Sequence, residues 1–83
     1  MGQKWYIDKI KAVEPDLLDG NTADILDWID NAFAMYAEDA DIAAKMDDAI
    51  KEQEEYYGVN AYCMSRTQLL TVAAKLIDVT GGE

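Results

Sequence analysis

Asn21-Thr22-Ala23-Asp24-Ile25-Leu26-Asp27-Trp28-Ile29-Asp30-Asn31-Ala32-Phe33-Ala34-Met35-Tyr36 decides the fold class. At the helical turn of about 100° per residue, Ile25, Trp28, Ile29, Ala32, Phe33 and Tyr36 fall on one broad arc. Leu26 and Met35 lie at its edges, and Asp24, Asp27, Asp30 and Asn31 lie opposite. That pattern is an amphipathic helix with its apolar face on a core. Trp28 and Phe33 carry the largest apolar surfaces in the middle of the chain, so the other elements are expected to pack around them.

Upstream, residues 3–13 read as a first, shorter helix, with Tyr6, Ile10 and Val13 at helical spacing and Ile7 beside them. Trp5 points away from that stripe. It is either a partly covered aromatic at the edge of the fold or an exposed contact residue. Glu14-Pro15 breaks the helix, since proline disfavours helical geometry in the residue before it. Pro15–Asp19 then forms a short helical turn, with Leu17 and Leu18 plugging the core and Gly20 able to close it in the left-handed conformation. Asn21 or Thr22 caps the central helix, and Asp24 sits in its first turn, where the helix dipole favours a negative charge.

Downstream, the apolar pattern changes phase around Ala37–Ala40, which places a boundary there; one long bent helix is the alternative. From Asp41 to Tyr57 a third helix buries Ile42, Met46, Ala49, Ile50 and one or both of Tyr56 and Tyr57. Gln53 falls inside this arc and needs a partner, expected to be a backbone group. Lys45 and Lys51 follow Asp41 and Asp47 by four residues, a spacing that relieves repulsion. Gly58 ends the helix, and Val59–Met64 is an irregular connector or a single turn. Ser65-Arg66-Thr67-Gln68 is a capping box for a last helix that buries Leu69, Leu70, Val72, Ala73, Leu76 and Ile77. Residues 80–83 read as a frayed tail.

No strand alternation or internal repeat interrupts this reading. The expected fold is all-α, a single domain over residues 1–83. It is a small bundle of three main helices after a shorter N-terminal one, with Trp28, Phe33, Ile42, Met46, Leu69 and Leu76 in a common core. Eighty-three residues suit one domain, and 51% apolar residues suffice for a core. No apolar run approaches the ~18 residues of a membrane span. The N-terminus lacks a signal-peptide apolar region, and Tyr6 stands where a myristoylation signal needs serine or threonine. One cysteine, Cys63, makes no intramolecular disulfide and is expected to be buried and inert; a cytoplasmic setting follows.

Charge bears most on function. Seventeen acidic residues face seven basic ones, for a net charge of −10. The imbalance lies in residues 14–55, where fourteen acids meet only Lys45 and Lys51, a net −12. Such a field repels nucleic acid and anionic membrane and attracts basic partners.

Catalytic chemistry finds little to use. There is no histidine, hence neither the commonest general base nor the commonest zinc ligand. No phosphate loop is present. An EF-hand register placing Gly20 at its sixth position puts Leu17 and Pro15 where oxygen ligands belong. The expectation is therefore no enzyme, no cofactor and no metal site. The size, acidity and helices invite comparison with acyl carrier proteins. Their Asp-Ser-Leu is absent, since the second long helix begins Asn21-Thr22-Ala23-Asp24 and Ser65 lies between Met64 and Arg66. A helix-turn-helix over residues 49–70 fails on its long connector and on the charge.

Two functional readings remain. In the first, an acidic surface occupies a basic, nucleic-acid-binding site of a partner protein. Carboxylates three or four residues apart on a helix lie ~5–6 Å from each other, close to the spacing of phosphates along a strand. Asp24 and Asp27 on the second helix, with Asp41, Asp48, Glu52 and Glu55 on the third, are the candidate residues. In charge and size the chain is similar to the small acidic phage inhibitors of restriction and CRISPR enzymes that imitate nucleic acid, a similarity of surface without a shared motif. In the second reading the chain is a structural or adaptor module, with Trp5 and Tyr62 marking a contact surface, between identical subunits in one version. A well-solvated acidic face that only keeps the protein soluble is the functionless counterpart of the first.

Overall fold

The computed structural model describes residues 5–81. Among them are four α-helices: α1 (Trp5–Val13), α2 (Thr22–Met35), α3 (Ala40–Tyr57) and α4 (Arg66–Val79). Short 3-10 turns at Pro15–Asp19 and Ala61–Cys63 complete the order, and no strand occurs among the described residues. The all-α bundle read from the sequence is the observed architecture.

Its centre is α4. Leu69, Leu70, Thr71, Val72, Ala73, Ala74, Leu76 and Ile77 are all buried, so apolar positions run around most of the helix. A helix apolar on nearly every side must be covered on nearly every side. Accordingly α1, α2 and α3 each pack on α4, and α2 and α3 pack on it far more than on each other. This corrects the expectation that Trp28 and Phe33 organise the core. Of α2 only Ile25 and Ile29 are buried, while Trp28 and Phe33 are half-buried at its flanks, as is Ile42 on α3. Met46, Leu69 and Leu76 are fully enclosed, as expected.

The chain stops and restarts mostly where its capping residues stand. Asn21 caps α2 with a reciprocal box: its Oδ1 accepts from the Asp24 amide at 2.9 Å, and Asp24 Oδ2 accepts from the Asn21 amide at 3.1 Å. Asp39 Oδ1 accepts from the Ile42 amide at 3.2 Å and opens α3, so residues 22–57 are two helices and not one bent one. Gly58 closes α3 at φ +74°, in the left-handed region that favours glycine. Ser65 and Gln68 form the expected box on α4.

Three local readings are corrected. Gly20 is extended and not left-handed, and its amide donates to the Leu17 carbonyl at 3.2 Å. Glycine is required there for space, because a Cβ would lie 2.9 Å from Asp24 Cβ. Thr80 is not frayed: its amide donates to the Leu76 carbonyl at 3.0 Å and its hydroxyl to the Ile77 carbonyl at 3.2 Å. Residues 82–83 of the expected tail, and residues 3–4 of the expected first helix, lie outside the described residues. Cys63 is exposed rather than buried, because its 3-10 turn directs Ala61, and Met64 just beyond, inward instead.

Gln53 is buried as its position predicted, but a side chain and not a backbone group meets it. The Thr71 hydroxyl lies 3.4 Å from the Gln53 amide oxygen, 3.0 Å from the Tyr57 hydroxyl and 2.6 Å from the Gln68 carbonyl. One proton serves one acceptor, and the shortest contact takes it. The oxygen's lone pairs are then free for Tyr57 and for the NH2 end of a turned-over Gln53 amide. This network ties α3 to α4 inside an otherwise apolar interface.

Candidate functional site

All six acidic candidates are exposed, and they divide into two groups. Asp41, Asp48, Glu52 and Glu55 fall on one stripe of α3, within about 60° of arc at about 100° per residue. At about 1.5 Å of rise per residue the row is about 21 Å long. None of the four joins an ion pair among the described residues. Lys45 interrupts the row one turn after Asp41, and Lys45 and Lys75 share with Asp48 and Glu52 a shallow depression between α3 and α4. Of the two expected i,i+4 pairs only Lys51–Asp47 forms, at 3.0 Å; Asp47 beside it raises the Lys51 ammonium above the ordinary lysine range.

Asp24 and Asp27 on α2 belong elsewhere. They line a depression with Glu14 and Asp16 of the preceding turn, with Leu17, Gly20, Trp28 and Asn31 completing it. Glu14 and Asp16 are candidates that the sequence reading missed. They precede the central helix by eight and six residues, and only the turn at Pro15–Asp19 folds them back beside its first carboxylates. Next to this depression lies an apolar groove of about 250 Å³ between α2 and the C-terminal ends of α1 and α4. It shares Glu14, Trp28 and Asn31 with the acidic depression, so the two adjoin.

The two aromatic candidates also part company. Trp5 is half-buried. Its ring packs edge-on to Tyr6 with centroids 6.1 Å apart, and Lys75 Nζ lies 5.3 Å over it. Both its faces of interest are therefore used within the chain. Tyr62 is 74% exposed, and of Tyr56 and Tyr57, one or both of which the sequence placed at the core, Tyr56 is 79% exposed. Tyr57 takes the inward position and Tyr56 packs against its ring with centroids 5.0 Å apart.

No group of three or more metal-ligating side chains is arranged to hold an ion among the described residues. No helix among them is long and apolar enough to cross a membrane. Comparison with protein-family models, curated proteins and solved structures finds no match to this chain.

Proposed function

We propose that this is a non-enzymatic binding protein whose acidic helical surface occupies a basic, nucleic-acid-binding site of a partner protein, as a nucleic-acid mimic does. The observation that carries the reading is the row Asp41, Asp48, Glu52 and Glu55. Its four carboxylates are exposed, lie on one stripe of one helix and have no ion-pair partner among the described residues. The neighbours Glu52 and Glu55 stand at the ~5–6 Å spacing that resembles successive phosphates. A preformed helix presents them without a backbone ordering cost, which favours binding. The row adds to the net −12 of residues 14–55, so it also steers a basic partner toward itself. The net negative charge of this surface disfavours direct contact with nucleic acid.

The test is affinity capture from a cell extract at low and high salt. A basic nucleic-acid-binding enzyme retained at low salt and lost at high salt supports the reading. A partner that resists salt points to an apolar interface instead. That second reading, an adaptor or self-assembling module, rests on the exposed rings of Tyr56 and Tyr62 rather than on Trp5, which Tyr6 and Lys75 already engage.

A further inference from the structure

We propose that the apolar groove beside α2 is a second docking site, which receives a basic amphipathic helix from a partner protein. Ala32, Leu76 and Ile77 line the groove with Trp28 and Tyr36, and Met35 stands at its edge, 74% exposed. A flexible methionine beside two aromatic rings is a surface that adapts to an apolar ligand. Trp28 to Met35 spans two helical turns, about 10 Å at about 1.5 Å per residue, enough for anchors at i, i+3 or i+4 and i+7 of a docked helix.

Charge selects the occupant. Beside the groove, Glu14, Asp16, Asp24 and Asp27 line the acidic depression together with the same Trp28. No lysine or arginine lines either depression among the described residues, and the one guanidinium that reaches Gly20, that of Arg66, is bonded to the Gly20 and Leu18 carbonyls. Asp24 keeps one oxygen free, since only its Oδ2 is used in the cap of α2. An apolar floor that adjoins an acidic patch at Glu14 fits a helix that is apolar on one face and carries lysine or arginine beside that face. It repels a fatty carboxylate, an anionic membrane surface and nucleic acid alike.

A second copy of this chain does not meet that description. Its net charge of −10 opposes self-association. The helices with two lysines each, α1 and α3, already bury their apolar faces, Tyr6 and Ile10 on α1 and Met46 and Ala49 on α3, in the chain's own core. The groove lies on α2 and not on the α3 row, so this inference stands apart from the reading proposed above.

The experiment uses the whole protein and a fluorescent 14-residue synthetic peptide with leucine on one helical face and lysine along its borders. A scrambled peptide of the same composition carries the same charge without the face. Anisotropy should report saturable binding of the amphipathic peptide at least about tenfold tighter than of the scrambled one. Met35→Lys and Asp16→Lys/Asp27→Lys alter exposed side chains, so folding should persist, as circular dichroism checks. Each should weaken binding about tenfold, while Asp48→Lys/Glu52→Lys/Glu55→Lys should retain the preference over the scrambled peptide. Equal binding of both peptides overturns the proposal, as does binding unaffected by the α2-side variants. A dimer in sedimentation that Met35→Lys dissolves also overturns it, in favour of a second copy as occupant.

Discussion

The guanidinium of Arg66, in the first turn of α4, donates from Nε to the carbonyl oxygen of Gly20 at 2.6 Å, across 46 residues of sequence. A terminal nitrogen of the same group donates to the Leu18 carbonyl. One planar fork thus holds the end of the Pro15–Asp19 turn against the start of α4. Those carbonyls lie beyond the turn's own hydrogen bonds and are half-covered, so losing their donor is costly. Arg66→Ala should destabilise by about 1.5–3 kcal/mol in urea unfolding. Arg66→Lys should recover less than half of this, because an ammonium does not reproduce the fork. An alanine variant as stable as the parent would show that the turn is held by Leu17 alone.

Thr71→Val keeps the shape of the side chain and removes the hydroxyl that joins Gln53, Tyr57 and Gln68. Gln53 is then left buried without that partner. Stability should fall by about 1–3 kcal/mol, measured by urea or thermal unfolding. The accompanying substitution Gln53→Leu should restore part of the loss, since two apolar groups do not leave an unpaired polar one.

The position of α4 sets an order of costs. Leu76→Ala opens a cavity in a fully enclosed site and should cost about 2–5 kcal/mol. Trp28→Ala should cost less, about 2–3 kcal/mol, because the ring keeps part of its surface in solvent and lines the groove. Chemical denaturation of the two variants side by side checks the order. The reverse order would restore Trp28 as the centre of the core.

Ser65 accepts from the Gln68 amide at 3.3 Å while Gln68 Oε1 accepts from the Ser65 amide at 3.0 Å. Ser65→Ala should therefore destabilise by about 1 kcal/mol and Ser65→Asp should be close to neutral. A harmless alanine would mean that the box contributes nothing beyond its geometry.

The helices and most of their ends were legible because they depend on neighbours in sequence. Asn21, Asp39, Gly58 and Ser65 act within three or four residues, and periodicity reports which side of a helix is apolar. The centre of the bundle was not legible in the same way. Thr71 reads as a polar break in the buried side of α4; its hydroxyl is met by the Gln68 carbonyl within the helix and by Tyr57 and Gln53, from 14 and 18 residues away, which no reading of α4 alone supplies. Ala74, also buried, gives no strong signal of its own, so α4 looked one-sided. The same limit applies to the surface. The α3 row follows from spacing on one helix. The meeting of Glu14 and Asp16 with Asp24 and Asp27, and of Glu14 with the apolar groove as well, depends on how the Pro15–Asp19 turn folds back, which no single-helix pattern records. Tyr56 and Tyr57 were interchangeable by sequence, and the hydroxyl partner on α4 distinguishes them.

The central claim is that the carboxylate row on α3 takes the place of nucleic acid in a partner. The direct measurement is displacement of a fluorescent oligonucleotide from the partner captured at low salt, with the parent and with Asp48→Lys/Glu52→Lys/Glu55→Lys as competitors. These side chains are exposed, so the variant should melt close to the parent. The parent should release the oligonucleotide without binding it, and should do so less effectively as salt rises. The charge-reversed protein should release little or none, mainly through slower association. Displacement by the reversed protein as effective as by the parent would contradict the account, and so would an oligonucleotide that stays bound while the parent occupies the partner.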